Sequence, residues 1–293
     1  MAAESRLPDL TPARATRASL VVITYNWPDA LARVLDSVAQ QSRLPDEVIV
    51  TDDGSADDTR ALVARIGRDF PTRIAHVWQD DTGFRAARAR NRGIAASRGD
   101  YVILIDGDMI LHRDFVADHL DFALHGHSLQ GSRLNASAAE TKRLLDGGRA
   151  RFSPLMPGPF PPHRAIRWPW LARVKARSSS GGRIFSCNMS AWRDDLLLVN
   201  GFDERFEGYG GEDQELAKRL RHAGVRRRQL KFAGLAIHLH HNTRAPDDPN
   251  DASLPANRMI AETLAKHAVR CERGVDGHLA EFAEPPPDLR GAQ

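Results

Sequence analysis

YVILIDGDMI (101–110) runs five apolar or aromatic residues straight into two aspartates, Asp106 and Asp108, separated by Gly107. A short, unbroken apolar run bounded by turn-formers is the pattern of a strand buried on both faces. Two carboxylates at its end repel each other unless a divalent cation relieves the repulsion. Hard Mg²⁺ or Mn²⁺ prefers such oxygen ligands and also takes phosphate oxygens from a substrate. Gly107 lets the backbone turn so that both acids can address one site. Asp and Gly are equally ordinary turn residues, so the triplet alone leaves both readings open.

Similar strands precede it. SLVVIT (19–24), EVIVTDDGS (47–55), which ends in a polar turn, and RIAHVW (73–78) read as strands of the same kind. Helical segments are expected between them. One opens at Pro28 with Leu31, Val34, Leu35 and Val38 at helical spacing; others cover 61–66 and 84–97, and a further one 113–125. Alternating strands and helices predict an α/β, Rossmann-like fold, with a mostly parallel central sheet flanked by helices. Ligands of such sheets bind at the carboxyl ends of the strands. The polar clusters TYN (24–26), DDGS (52–55) and DGD (106–108) all fall there.

The 293 residues suit one domain: a loose leader (1–18), a single unit over 19–272 with halves 19–125 and 126–272, and a loose tail (273–293). The net charge of +3 gives no case for a nucleic-acid partner. Only five of the 41 basic residues are lysine. Two cysteines, Cys187 and Cys271, without a CxxC motif fit a reducing compartment rather than a disulfide framework. The N-terminal stretch has no apolar core of a secretory signal, and no run approaches the roughly 18–20 apolar residues of a membrane span. A cytoplasmic protein is expected, with peripheral contact at the inner membrane face open.

Three further clusters could carry chemistry. In TDDGS (51–55) an acid at a strand end can accept from a nucleotide base or ribose, or simply cap a helix. In FEGYGGEDQELAKRL (206–220), Gly210 and Gly211 permit close backbone approach, and Glu212 and Asp213 fall at a helix start where ionised carboxylates are favoured. A carboxylate there can act as a base on an attacking hydroxyl. In AIHLHHN (236–242) a strand would put His238 and His240 on one face and His241 on the other; a strand ending in a turn would let His238 and His241 converge. Neutral imidazole is a ligand for Mn²⁺ more than for Mg²⁺.

The segment 149–183 is basic, holds six prolines and no acid, and carries Trp168 and Trp170. It reads as a long excursion rather than a strand or regular helix. It could be a solvated loop, a lid over the site, or a contact with an anionic membrane.

Taken in order, VITYN (22–26), VTDDGS (50–55), TGFRAARARNRGIAAS (82–97), ILIDGDM (103–109), SCNMSAWRDDLLLVNGFDE (186–204), GYGGEDQEL (208–216) and HLHHN (238–242) resemble glycosyltransferase family 2, with the GT-A fold. GYGGED is similar to the GWGGED motif of β-1,4-galactosyltransferases and chondroitin-type polymerases, with Tyr209 in place of tryptophan. The resemblance implies a hexosyltransferase that moves a sugar from a UDP-sugar donor to a saccharide or lipid-linked saccharide acceptor, with Mn²⁺ or Mg²⁺ as cofactor. It places Thr24, Tyr25 and Asn26 in the nucleotide pocket, and Asp53 at the uracil with Asp52 as its near alternative. Gly83, Arg90, Asn188, Gly210 and Gly211 fall on the donor side. Asp106 is implied to touch the donor's ribose or the metal, and Asp108 to bind the metal directly, with His241 as a third protein ligand and His238 in reserve; the same resemblance makes 19–125 the nucleotide-binding half and 126–272 the acceptor and catalytic half. Asp213 is implied as the general base, and Glu212 as holding acceptor or sugar hydroxyls. Galactose, N-acetylhexosamine or glucuronate donors are suggested. A nucleotidyltransferase, a nucleotide-sugar hydrolase and a non-catalytic glycan-binding relative are the rival readings.

Overall fold

The computed structural model describes residues 17–176, 184–208, 210–242, 251 and 253–291. The leader expected over 1–18 lies, up to residue 16, outside them.

Ten strands and nine α-helices are present among the described residues. The strands are β1 (Ala18–Thr24), β2 (Glu47–Asp52), β3 (Arg73–Trp78), β4 (Tyr101–Asp106), β5 (Met109–Leu111), β6 (His127–Gln130), β7 (Ser132–Asn135), β8 (Asn188–Trp192), β9 (Arg226–Gln229) and β10 (Leu235–His238). The helices are α1 (Pro28–Ala39), α2 (Asp57–Gly67), α3 (Ala86–Ala96), α4 (Phe115–Asp121), α5 (Ala138–Leu145), α6 (Pro169–Ala176), α7 (Arg193–Leu198), α8 (Glu212–His222) and α9 (Pro255–Ala265).

Seven strands form the central sheet in the order β3-β2-β1-β4-β8-β6-β9. The run β3-β2-β1-β4 is parallel throughout, and β8 lies antiparallel to both β4 and β6. This is the expected mostly parallel sheet flanked by helices. β1 and β2 are buried along their whole length. Successive side chains then serve opposite faces: Leu20 and Val22 belong to the apolar cluster that holds Leu31, Val34 and Leu35 of α1, while Val21 belongs to the one that holds Ile94 of α3 and Leu216 and Leu220 of α8.

A second sheet, β5-β10-β7, sits beyond the end of β4. Of its strands, β10 is the one open in AIHLHHN, while β5 and β7 had no signal in the sequence.

Two expectations are corrected. The segment 149–183 is not wholly irregular: a 3₁₀ turn covers Pro162–Ala165, and Pro169 opens helix α6 from the first-turn position where its missing N–H costs nothing. Arg167 ties this region down through Asp118 (2.7 Å) and Asp114 (3.2 Å); residues 177–183 lie outside the described residues. The tail is not loose either. Val275 and Phe282 are buried with the α3 side of the core, His278 meets Glu204 at 2.7 Å, and the Leu289 N–H donates to the Ile74 carbonyl (2.9 Å). Its few apolar residues are spaced without a helical or strand period, so they gave no signal before they were seen packed.

Candidate functional site: a carboxylate–imidazole cluster beside a buried ion-pair network

The small sheet assembles the first part of the site. β10 pairs antiparallel with β5 and parallel with β7, and its register sets His238 beside Met109 and Asn135. Asp108 immediately precedes Met109, and the Leu239 N–H donates to the Asp108 carbonyl at 3.0 Å. β10 stops at His238, so the chain turns and His241 comes round to the same side. Of the two arrangements open in the sequence, convergence of His238 and His241 is the one adopted. Their Nε2 atoms lie 3.4 and 3.2 Å from Asp108 Oδ2. The Trp27 ring stands edge-on to His241, centroids 6.0 Å apart.

Burial holds the His238 pKa below its ordinary value, which keeps it neutral and able to ligate. His241 is raised to about 9, chiefly by its hydrogen bond to Asp108. One ligand atom from each of the three residues lies within 4.8 Å of the others, and Asp108 Oδ1 is buried without a partner. One carboxylate and two imidazoles suit a borderline ion such as Mn²⁺ better than Mg²⁺. The residues therefore fit the expected metal.

Asp106 stands outside this three-residue cluster and accepts from Arg90 Nη2 at 2.9 Å. Gly107 separates the two acids and leans on the end of β1, where a Cβ would come within 3.0 Å of the Ile23 carbonyl oxygen. Arg90 Nη1 donates to Glu212 Oε1 at 3.0 Å, so this one guanidinium joins α3, the end of β4 and the start of α8. Burial works against the Arg90 charge, but Asp106 and Glu212 more than offset it and hold its pKa above the ordinary value.

Gly211 at φ 100° turns the chain into α8, a conformation that favours glycine. Glu212 and Asp213 follow. Glu212 is 8% exposed, and its Oε2 is buried without a partner. Asp213 is half-buried and has its pKa raised to about 7, first by burial and then by the neighbouring Glu212 charge.

Gly210, Gly211, Glu212, Asp213, Arg90 and Asp106 line one cavity of about 600 Å³, together with His238 and His241. A second cavity, about 260 Å³, adjoins it and shares Phe84, Arg90, Asp106 and His241. Thr24, Tyr25, Asp53 and Asp108 line this smaller one. Asp53 is nearly buried; it accepts from Gln79 Nε2 (2.6 Å) and the Arg85 N–H (2.8 Å), and burial raises its pKa. Gly83, at φ 97°, precedes Phe84, the aromatic residue common to both cavities.

Three expected donor-side residues do other work. Asp52 is fully buried, accepts from the Ser55 N–H (2.7 Å) and meets His76 (3.0 Å), so Asp53 alone of the pair faces the cavity. Asn26, at φ 46°, ties two turns together: its N–H donates to Ser55 Oγ and its Oδ1 accepts from the Ala56 N–H. Asn188 is fully buried, accepts from His119 Nε2 (3.1 Å) and donates to the Ser132 and Gly234 carbonyls, which leaves it no reach into either cavity.

Arg133, Asn135, Ser186 and Cys187 also line the larger cavity and were missed. Arg133 and Asn135 lie on four-residue β7, which has no readable period. Phe84 had a signal, an aromatic residue just ahead of the ARARN run.

Residues 19–184 match the sequence profile of glycosyl transferase family 2, and residues 172–242 match that of the N-terminal domain of galactosyltransferase. Validoxylamine A glucosyltransferase of Streptomyces hygroscopicus subsp. limoneus is 32% identical over 233 residues, 71% of this chain and 48% of that protein. Chondroitin synthase of Escherichia coli is 26% identical over 275 residues, 86% of this chain and 38% of that protein. The chain thus spans about half or less of these relatives. Among solved structures, S. aureus TarS 1–349 in complex with UDP superposes with a TM-score of 0.59 at 17% identity, covering 92% of this chain and 71% of that one. The mannosyltransferase PcManGT of Pyrobaculum calidifontis, in complex with GDP-Man and Mn²⁺, gives 0.56 at 18% identity, covering 95% and 83%. At such identities these structures establish the GT-A-like α/β fold alone. The profile match over more than half of the sequence carries the assignment: the chain belongs to glycosyl transferase family 2.

Proposed function

We propose that the protein is an inverting, metal-dependent transferase that moves a hexosyl group from a UDP-sugar to a hydroxyl of a saccharide or lipid-linked saccharide. The observation that carries this reading is the meeting of two devices at adjoining cavities: the Asp108–His238–His241 cluster, and a carboxyl at the start of α8 whose pKa sits near neutrality.

Asp53 is positioned to accept from the nucleotide base, with Thr24 and Tyr25 beside it. Asp108, His238 and His241 would hold Mn²⁺. When bound, the ion supplies Lewis-acid neutralisation of the charge that grows on the departing diphosphate. Arg90 anchors Asp106 and Glu212 in place, and the free Oε2 of Glu212 accepts from a sugar or acceptor hydroxyl. Asp213 takes the acceptor's proton as its oxygen bonds to the anomeric carbon and the bond to the diphosphate breaks. A base with a pKa near the working pH is well matched to that step. A single displacement inverts the anomeric centre, so an α-linked donor yields a β-linked product. The GYGGED stretch, like the GWGGED motif, supports an acceptor role for this wall of the cavity.

No helix among the described residues is long and apolar enough to cross a membrane. Trp168 and Trp170, 53% and 67% exposed, stand with Arg173 and Lys175 on and beside α6, a combination suited to peripheral contact with an anionic membrane surface.

The test incubates purified protein with Mn²⁺ and a panel of UDP-sugars, with and without saccharide acceptors. UDP release that requires acceptor is expected. Equal release without acceptor means hydrolysis, and nucleotide binding without turnover means a non-catalytic relative.

A further inference from the structure

A third cavity, about 450 Å³, opens off the reaction cavity on the side away from the nucleotide. The order follows from shared walls. The nucleotide cavity and the reaction cavity share Arg90 and Asp106; the reaction cavity and the third share Arg133, Asn135 and Cys187; the nucleotide cavity and the third share no lining residue. A substrate lying along all three would place the nucleotide at one end, the transferred sugar in the middle and the body of the acceptor in the third.

The walls of this third cavity carry one sign of charge. Arg133, Arg164 and Lys231 line it, with His163, and no aspartate or glutamate is among its described lining residues. The chain as a whole is nearly balanced, with 41 basic and 38 acidic residues, so the bias is local. Arg133 is the best placed of the three. It is half-buried, its guanidinium lies 5.4 Å from the centre of the Phe185 ring, and its Nη1 reaches Cys187 Sγ at 3.6 Å. Neither Arg133 nor Lys231 has a carboxylate partner among the described residues, in contrast to Arg90 and Arg167. At the seam with the reaction cavity, Asn135 Oδ1 is buried without a donor, which suits a sugar hydroxyl. A partly desolvated guanidinium with no counter-ion is a fork awaiting a carboxylate or phosphate.

We propose that this cavity is an acceptor subsite for an oxyanion: the acceptor saccharide carries a carboxylate or phosphate that Arg133 and Lys231 bind, with Arg164 and His163 at the rim, while Asn135 receives a hydroxyl. The proposal rests on the glycosyl-transfer reading above and adds the chemical class of the acceptor. Charge complementarity here selects an acidic acceptor over a neutral one of the same shape.

Calorimetric titration of the full chain tests it with three probes: methyl β-D-glucuronide, glucose 6-phosphate and the neutral methyl β-D-glucoside, each with and without UDP and Mn²⁺. At least one anionic probe should bind about tenfold more tightly than the neutral glycoside, weakening as salt rises. Arg133→Gln and Lys231→Gln should each remove about tenfold of that preference while leaving the affinity for the neutral glycoside in place. Lys231 is exposed, so its variant keeps the test open should Arg133→Gln fail to fold. The stronger of the two anionic probes identifies the group as carboxylate or phosphate. Equal binding of all three probes, no binding of any of them, or an anion preference untouched in both variants would overturn the proposal. Failure of the parent reading shows separately, as wild-type protein that does not bind UDP with Mn²⁺.

Discussion

Arg90 Nη1 lies 3.0 Å from Glu212 Oε1, a contact across 122 positions of sequence that fastens the start of α8 to α3. The same side chain holds Asp106 at 2.9 Å and is only 7% exposed. Removing one member of a buried pair strands the other charge. Arg90→Met should therefore destabilise the protein by about 3–5 kcal/mol, because Asp106 and Glu212 lose their common partner. Arg90→Lys should recover only part of this, since an ammonium cannot present the same planar fork. Denaturant midpoints of the three proteins check it; an Arg90→Met midpoint equal to wild type would show the network to be idle.

Asp213 should set the acid limb of the pH–rate profile. With its pKa at about 7, the ionised base accumulates as pH rises, so kcat/KM should climb through neutrality and level above it. The Glu212 charge is part of the cause, so Glu212→Gln should move that limb to lower pH. Asp213→Asn should lower kcat about 10²–10⁴-fold and leave UDP binding intact. The same shift acts on folding. The folded protein holds this proton more tightly than the unfolded chain, so Asp213 contributes most below the ordinary carboxylate range, and that contribution is lost as pH rises towards about 7. Asp213→Asn should flatten this decline in a pH series of unfolding curves.

The C-terminal segment should be part of the stability of the domain. Phe282 is 7% exposed within the core on the α3 side, and Val275 is fully buried there. Phe282→Ala should cost about 3 kcal/mol. A chain ending at residue 272 should show a larger drop in thermal midpoint than that single substitution; an unchanged midpoint would mean that the packing contributes nothing.

Legibility in the sequence followed burial and length. β1, β2, β3 and β4 were readable because each is an apolar run between turn-formers, and their order of helices predicted the parallel half. β6, β7 and β9 were not: each has four residues, and β9 is the wholly polar RRRQ, whereas β10 was open as the strand of AIHLHHN. Of the site, Asp108, Arg90, Glu212, Asp213 and the histidine pair were legible from their motifs, whereas the contacts that join them were not. The sequence separates Asp106 from Asp108 only through the resemblance; the folded chain shows one turned to Arg90 and the other to imidazole. Asn188 had a familiar motif around it, but its amide is consumed by His119 and two backbone carbonyls. Arg133 and Asn135 had no pattern to announce them.

The metal cluster is the centre of the functional reading, and Mn²⁺ binding measured directly on the purified protein tests it. Titration followed by electron paramagnetic resonance, in the presence of UDP, should give one bound Mn²⁺ per chain in the wild type. Asp108→Ala, His238→Ala and His241→Ala should each weaken it by at least the roughly 10–100-fold typical of losing even an outer-shell partner, with the fold intact by circular dichroism. Stoichiometric binding that is undiminished in Asp108→Ala and His241→Ala, or no binding by the wild type, would contradict the assignment.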